Sequence, residues 1–327
     1  MDRTLAYELV RAVEAGAIEA AKWTGLGEKK KADGAAVEGM RKAFESINVS
    51  GTVVIGEGER DEAPMLFIGE KVGAGGPAID IAVDPLEGTN LCARDDPNAI
   101  AVLAAAPAGS LLHAPDTYMD KICASSKVQG LDLDNSVEEN LKAVCTSLNK
   151  KIEDMTVLVM DRDRHTELIS EIRSLGARVK LIRDGDIMGG IEAMMDCSHV
   201  DLLLGIGAAP EGVITAVAAK CLGCHFQGRL KFEGQELLER AEGDADFLER
   251  AKKTQEEFLA RAKAMGITDP DKKLERDELV KADGVFVATG VTSGMLRGVE
   301  RTKHGLRTNS LVITKDTVEF IENTTKK

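Results

Sequence analysis

A buried strand that ends in acids is the feature that most constrains how this chain folds. Residues 79–83, Ile-Asp-Ile-Ala-Val, run directly into residues 84–89, Asp-Pro-Leu-Glu-Gly-Thr. This pattern is typical of a strand that delivers polar side chains to a site at its carboxyl end. Asp84 and Glu87 flank the proline closely enough to share a cation, and Thr89 follows them. Taken alone, residues 84–87 fit an Asp-Pro turn that leaves a sheet equally well.

Two further acidic clusters lie upstream of this strand. A β-branched run at 52–55 leads into residues 56–62, Gly-Glu-Gly-Glu-Arg-Asp-Glu. Such a density of carboxylates is repulsive unless the charges are solvated or bind cations. Lys29 and Asp33 precede a helical pattern, where Asp33 fits either a helix N-cap or a cation ligand. Carboxylate oxygens are the ligands that Mg²⁺ and Mn²⁺ prefer, so the three clusters together predict a metal site.

Composition limits the classes of partner. The chain has 327 residues and a formal net charge of −13, with a sequence pI of about 5.0. An acidic surface argues against nucleic acid and anionic membranes as partners, and it repels an anionic substrate unless cations are bound. Because no apolar run has transmembrane length and the first residues lack a signal-peptide pattern, we expect a cytoplasmic protein. The plastid stroma is the alternative if a transit peptide has been removed.

The periodicity of apolar residues predicts an α/β protein of two domains. From Met155 onwards short strands alternate with short helices, which is typical of an α/β layer. We place the boundary near residue 150, with an N-terminal metal-binding catalytic domain of residues 1–150 and a C-terminal α/β binding domain of residues 151–327. The predicted helices cover 3–25, 34–47, 136–148, 164–175, 187–195, 214–222 and a charged stretch at 235–265. The predicted strands cover 52–55, 79–83, 99–105, 110–113, 156–160, 178–182, 202–206, 285–288 and 307–313, with a turn at 315–316.

Polar clusters follow three strands of the second half, at residues 161–165, 184–186 and 207–212. Ligands of α/β sheets bind at the carboxyl ends of strands, so these clusters predict a binding crevice, although each one alone also fits a helix cap. Arg164 and His165 offer cationic or donor groups for a phosphate. Asp184 and Asp186 offer acceptors for sugar hydroxyls, and Glu211 is placed to reach the metal site of the first half.

The whole set of motifs resembles the metal-dependent, lithium-sensitive sugar phosphatases, whose signature is Asp-Pro-(Ile/Leu)-(Asp/Glu)-Gly-Thr. Within that superfamily the chain is most similar to the class II fructose-1,6-bisphosphatases, close to the bifunctional fructose-1,6-/sedoheptulose-1,7-bisphosphatase branch. The likeness covers nearly the whole chain and rests on residues 22–23, 29–33, 54–59, 61–66, 80–89, 114–119, 164–165, 184–186, 205–212 and 225–228.

The resemblance implies a layered α-β-α-β-α fold and hydrolysis of a sugar C1 phosphate with two or more Mn²⁺ or Mg²⁺ ions. The implied metal ligands are Asp33, Glu57, Asp84, the Leu86 carbonyl, Glu87 and Glu211. The implied substrate-binding residues are Glu87, Gly88, Thr89, Tyr118, Arg164, His165, Thr166, Asp184, Gly185, Asp186, Ala208 and Glu211. Lys29, Asp61 and Thr89 match residues required for activity. We also expect a homodimer or homotetramer.

These assignments lead to a mechanistic hypothesis in which water attacks the C1 phosphorus in line. Thr89 would orient the water, Asp33 or Asp61 would accept its proton, and Lys29 would stabilise the transferring phosphoryl group. An inositol-phosphate or nucleotide-phosphate phosphatase of the same superfamily is the alternative substrate class. An inactive sugar-phosphate sensor is the alternative of another kind. Asp163 replaces a proline of the family and Ala208 a glycine, which bears on substrate range.

Cys221 and Cys224 form a Cys-x-x-Cys motif. The six cysteines show no framework of spacings, so reduced thiols are expected. This pair fits either a thiol switch or the packing of a helix end.

Overall fold

The computed structural model describes residues 3–57, 66–231 and 245–326. The helices are α1 (Arg3–Ala21), α2 (Lys29–Phe44), α3 (Thr89–Arg94), α4 (Val137–Leu148), α5 (Thr166–Ser174), α6 (Asp186–Met194), α7 (Ala209–Leu222), α8 (Ala245–Ala264) and α9 (Arg276–Leu279). The strands are β1 (Ser50–Ile55), β2 (Lys71–Val72), β3 (Ala78–Glu87), β4 (Ile100–Pro107), β5 (Tyr118–Ala124), β6 (Thr156–Met160), β7 (Arg178–Ile182), β8 (Leu202–Ala208), β9 (His225–Lys231), β10 (Lys273–Glu275), β11 (Val285–Gly290), β12 (Glu300–Thr302), β13 (Gly305–Thr314) and β14 (Val318–Lys326). Short 3₁₀ turns cover Ile152–Asp154 and Asp163–His165.

The strands form two sheets. The first has the order β12-β13-β11-β4-β3-β1-β2, with β14 paired to β13, and the second has the order β10-β9-β5-β8-β6-β7. In the second sheet β6 is parallel to both β7 and β8. The carboxyl ends of these three strands therefore lie at one edge, where the predicted binding crevice belongs.

Three hydrophobic cores stack the sheets and helices into five layers. Helices α1 and α2 cover the outer face of the first sheet. Helices α6 and α7 fill the space between the two sheets. Helices α4 and α5 cover the outer face of the second sheet. This arrangement confirms the layered α-β-α-β-α fold, and it places the amino end of α7 between the sheets.

Most predicted elements are present, and the differences include the position of Asp33 and the strand expected at 110–113. Strands 156–160 and 178–182 match β6 and β7. Helix α2 begins at Lys29, so Asp33 lies inside the helix and does not cap it. The strand expected at 110–113 is wrong, because Leu111 forms only an isolated bridge with Val280. Within the described residues no helix is long and apolar enough to cross a membrane.

The predicted boundary near residue 150 does not coincide with the division between the sheets. Strand β5 precedes residue 150 but lies in the second sheet, whereas β11, β13 and β14 follow it and complete the first. Long-range strand pairing, which periodicity does not report, causes this difference. A division into folding units at residue 150 stays a prediction.

Cys221 and Cys224 are buried at the end of α7. Burial raises the pKa of each thiol to about 11. Thiols with such a pKa are protonated and poorly reactive at neutral pH. The packing role therefore describes this pair better than a thiol switch.

Candidate active site

The first two acids of the site come from an irregularity in β3. The pairing of β3 with β4 shifts by one residue between Asp84 and Glu87, which oppose Val102 and Ile100 respectively. This bulge bends the strand, and the Asp84 carboxylate accepts a hydrogen bond from the Leu86 N–H at 3.0 Å. The bulge explains how two acids three residues apart reach the same place.

Glu211 joins them from helix α7. It stands in the first turn of α7, directly after Pro210, and α7 follows β8 of the second sheet. Carboxylate oxygens of Asp84, Glu87 and Glu211 all lie within 4.8 Å of one another. The Glu211 Oε2 atom is buried and has no hydrogen-bond partner among the residues that the structure describes. A buried carboxylate oxygen without a partner is costly unless a cation or a proton meets it.

Glu57, which follows β1, and Asp33 of α2 complete the acidic cluster. Glu57 lines one cavity together with Asp84, Asp116 and Glu211. Asp33 acts electrostatically on both Glu57 and Asp84. All the predicted carboxylate ligands of the metal site are therefore brought together.

The pKa values of these carboxylates are raised, which means that their charged forms are disfavoured when no cation is bound. Burial, followed by repulsion from Asp33 and Asp116, raises the pKa of Glu57 to about 7. Burial and the neighbouring Asp186 raise the pKa of Glu211 to about 7. Burial, followed by repulsion from Glu57, raises the pKa of Asp84 well above its ordinary value, and burial followed by repulsion from Asp84 does the same for Glu87. Such shifts are typical of functional sites and of cation sites in particular.

The other residues predicted for the first half of the site differ in their exposure to solvent. Lys29 is exposed at the start of α2, and Thr89 is half-buried at the start of α3, where Gly88 adopts a left-handed conformation with φ 80°. The Leu86 side chain is buried within the bulge, and its carbonyl remains a predicted ligand. Asp61 lies outside the described residues.

Arg164 and Tyr118 pack against each other where β6 and β8 of the second sheet end, and this pair is called the clamp below. The Arg164 guanidinium lies 4.7 Å from the centroid of the Tyr118 ring. Its Nε and Nη2 atoms donate to the Ile206 carbonyl at 3.2 and 2.8 Å. Tyr118 pairs with Ala208, the residue that caps α7. Thr166 is exposed nearby and donates to the Asp163 carbonyl at 2.8 Å. The clamp therefore lies beside the chain segment that leads to Glu211.

His165 has a different position from the one expected of a phosphate ligand. Its side chain is 2% exposed. Nδ1 is 2.8 Å from the Met160 carbonyl, and Nε2 accepts the Ile206 N–H at 2.8 Å. These two bonds require the neutral ring with its proton on Nδ1. The ring therefore ties β6 to β8 and leaves no nitrogen for a phosphate, so its expected cationic role is corrected here.

The 184–186 segment links the two halves of the site. Asn90 of α3 donates to the Asp184 carboxylate at 3.2 Å, which joins the end of β3 to the end of β7. Gly185 is left-handed, with φ 83°, and Asp186 begins α6. The Asp186 carboxylate is buried and pairs with the Lys121 ammonium. One Asp186 oxygen is thus engaged by a lysine, although both acids were expected to face sugar hydroxyls.

Sequence reasoning missed three residues of this site: Asn90, Asp116 and Lys121. Asp116 follows an Ala-Pro pair and lines the same cavity as Glu57. Its position before a strand, with no helix after it, resembles an ordinary loop acid. Lys121 lies in β5, where a lysine alone indicates a solvent-facing position. The positions of these three residues in the site become visible only from their contacts with residues that are distant in the sequence.

Comparison with known proteins agrees with this geometry. The family model described as bacterial fructose-1,6-bisphosphatase, glpX-encoded, matches residues 3–325. A D-fructose 1,6-bisphosphatase class 2/sedoheptulose 1,7-bisphosphatase of Prochlorococcus marinus (strain NATL1A) is 48% identical over 96% of this chain and 92% of its own length. Proteins with the same name from Thermosynechococcus vestitus and Synechococcus elongatus are each 46% identical over 98% of this chain and 96% of theirs. The chain therefore belongs to the glpX-encoded family of bacterial fructose-1,6-bisphosphatases.

Proposed function

We propose that this protein hydrolyses the C1 phosphate of fructose-1,6-bisphosphate, and also that of sedoheptulose-1,7-bisphosphate, with divalent cations. The observation that carries the proposal is the convergence of Asp84 and Glu87 of β3 with Glu211 of α7 within 4.8 Å. Family membership supports the reaction, and the names of the relatives support the two substrates.

The residues present fit a hard divalent cation. The donor set is all oxygen, which suits Mg²⁺ and Mn²⁺, and the unpartnered Glu211 Oε2 supplies an acceptor that no protein group satisfies among the described residues. Asp33, Glu57, Asp84, the Leu86 carbonyl, Glu87 and Glu211 are the residues that we assign to hold two or more such ions. When bound, these ions supply the neutralisation of phosphate charge and the activation of water that phosphoryl transfer requires.

The remaining residues act on the substrate and the attacking water. Thr89, at the start of α3 and two residues after Glu87, is placed to orient the water. Asp33 or Asp61 accepts the water proton. Lys29 is exposed and available to pair with the transferring phosphoryl group.

Arg164 holds the second phosphate at the far end of the substrate. Its Nε and Nη2 atoms are anchored on the Ile206 carbonyl and its plane lies against Tyr118, so the rest of the guanidinium is fixed in position. A rigid arginine fork suits phosphate recognition. His165 supports this end indirectly, because it fixes the Ile206 backbone that anchors Arg164.

The Arg164→Ala variant should raise KM for fructose-1,6-bisphosphate by about tenfold or more, the scale of one charged hydrogen bond. Its affinity for Mn²⁺ should stay unchanged, because Arg164 contacts none of the acidic cluster in the structure. Steady-state kinetics and Mn²⁺ titration measure the two quantities. Arg173→Ala, on the exposed face of α5, is the matched control. An unchanged KM would contradict the role of Arg164.

A comparison of substrates tests the proposed function. Phosphate release is measured from fructose-1,6-bisphosphate, sedoheptulose-1,7-bisphosphate and inositol-1-phosphate, each with Mn²⁺ and with Mg²⁺. Turnover of both sugar bisphosphates supports the dual function. Turnover of fructose-1,6-bisphosphate alone supports that activity and contradicts the proposed second substrate. Hydrolysis of inositol-1-phosphate alone favours the alternative substrate class. Binding of the sugar bisphosphates without any hydrolysis favours a sensor.

We further propose a homodimer or homotetramer located in the cytoplasm. The bacterial origin of the relatives supports this location over a plastid. Sedimentation of the purified protein measures the oligomeric state directly.

A further inference from the structure

Lys121 is a charged residue in the interior of the second sheet. It lies in β5, which pairs with β8 on one side and β9 on the other. Its side chain is 3% exposed, and its β5 neighbours Met119 and Cys123 belong to the core between the sheets. Lysine is almost never buried to this extent without a partner. The partners of the ammonium therefore indicate what the residue does.

The Lys121 ammonium joins the beginnings of two helices. It pairs with the carboxylate of Asp186, the first residue of α6. It also donates to the carbonyl of Ala208, the cap of α7, at 2.9 Å. Lys121 therefore supplies an anchor that the two helix starts share.

Two glycines give the lysine the room that this arrangement needs. A Cβ atom on Gly207 would overlap the Asp186 carboxylate and lie 2.8 Å from the Lys121 ammonium. A Cβ atom on Gly212 would lie 3.3 Å from Lys121 Cδ and 2.6 Å from Met119 Sδ. The stem of Lys121 thus lies beside Gly212, the residue that directly follows Glu211. This one side chain bonds to the backbone before Glu211, at Ala208, and lies next to the backbone after it, at Gly212.

The charges of the pair also reach the acidic cluster. The pKa of Glu211 is raised first by burial and then by Asp186, while Lys121 lowers it. Asp186 also contributes to the raised pKa of Glu87. Lys121 and Asp186 are therefore close enough to affect the metal ligands, although neither belongs to the assigned ligand set.

We infer that Lys121 is a positioning residue, which holds Asp186 and the Ala208 carbonyl together and so fixes Glu211 where a cation is bound. The inference rests on the proposed function, because it assumes that Glu211 binds the metal. Outer groups that orient metal ligands typically change metal affinity or activity by about 10- to 100-fold when they are removed.

The sign of the change in Mn²⁺ affinity tests this inference. A Lys121→Met variant removes the anchor and also removes a positive charge near the ligands. Loss of the charge alone would strengthen cation binding, whereas loss of the anchor displaces Glu211 and weakens it. Free Mn²⁺ is measured by electron paramagnetic resonance in titrations of wild-type and variant protein, well below their melting temperatures. We expect about tenfold weaker binding in the variant.

A second buried aspartate supplies the matched control. Lys150 pairs with Asp201, whose carboxylate is 7% exposed and lies just before β8, at the end of that strand far from Glu211. Lys150→Met should lower the melting temperature without changing Mn²⁺ affinity. If Lys121→Met does not fold, Lys121→Gln replaces it under the same criterion. Unchanged or tighter Mn²⁺ binding in the Lys121 variant overturns the inference.

The same titration separates this inference from the proposed function. If the wild-type protein binds no Mn²⁺ and hydrolyses no sugar bisphosphate, the proposed function fails. If the wild-type protein does both and the Lys121 variant binds Mn²⁺ as tightly as wild type, only the role of Lys121 fails.

Discussion

An Asp84→Asn protein should lose turnover of fructose-1,6-bisphosphate by about a thousandfold or more, yet be more stable than the wild-type protein without metal. The loss follows from removing one carboxylate of the cation site, which takes away several kcal/mol of transition-state stabilisation. The gain follows because desolvation of Asp84 and its repulsion by Glu57 and Glu211 oppose its charge. We expect the metal-free free energy of unfolding to rise by about 0.5–2 kcal/mol, the scale of a single stabilising substitution.

Asp80, in the same strand, is the matched control for this substitution. Its carboxylate is 4% exposed and accepts the N–H groups of Ser110 and Leu111 at 2.9 and 3.1 Å. Asp80→Asn weakens these two bonds and should destabilise the protein by about 1–2 kcal/mol, while turnover stays near wild type. Phosphate release and denaturant unfolding in chelator measure both variants. If Asp84→Asn kept its turnover, or if it destabilised the metal-free protein, the assignment of Asp84 to the cation site would be wrong.

The metal-free protein should lose stability as the pH rises from about 5 to above 7. Burial raises the folded-state pKa of Glu57 and of Glu211 from 4.5 to about 7. The folded state then binds these protons more tightly than the unfolded state does. The stabilisation is therefore fully present below pH 4.5 and is lost as the pH rises through 7. For Glu211 the difference is on the order of 3 kcal/mol.

Denaturant midpoints at several pH values, with chelator and with Mn²⁺, measure this dependence. Mn²⁺ should reduce the slope, since a bound cation replaces the protons. Glu211→Gln should reduce the slope in chelator, because the unfolded chain no longer releases that proton. Burial also lowers the pKa of His225, and this contribution is common to both proteins. Glu211 raises the pKa values of Asp84 and Glu87 as well, so its replacement by glutamine reduces the slope further through these neighbours. Equal slopes in wild type and Glu211→Gln would contradict the buried position of Glu211.

The sequence predicted the elements in which apolar residues follow a clear period or in which an apolar run ends abruptly. The run at 156–160 is apolar and β-branched, and it became β6 with the same bounds. The acids at 84 and 87 were predicted as ligands because a buried strand rarely ends in two carboxylates without a reason. Both inferences use only residues within about ten positions along the chain, so the local sequence pattern is sufficient to make them.

The elements that the sequence did not predict depend on distant partners. Strand β5 contains Asp120 and Lys121, which look like surface residues until Asp186, 65 residues away, neutralises the lysine. His165 looks like a cationic phosphate ligand, but the Met160 and Ile206 backbone groups engage both of its nitrogens. Asp33 looks like a helix cap, but α2 starts earlier, at Lys29. For Lys121 and His165, tertiary contacts override the local preference.

The central claim is that carboxylates from strand β3 and helix α7 form a cation site that hydrolyses a sugar C1 phosphate. The most direct measurement separates the products formed from fructose-1,6-bisphosphate by anion-exchange chromatography, with chelator-treated wild-type protein before and after Mn²⁺ or Mg²⁺ is added. We predict no reaction before addition, and afterwards inorganic phosphate with fructose-6-phosphate as the sole sugar product. Hydrolysis in chelator, release of the C6 phosphate, or no hydrolysis with either metal would contradict the account.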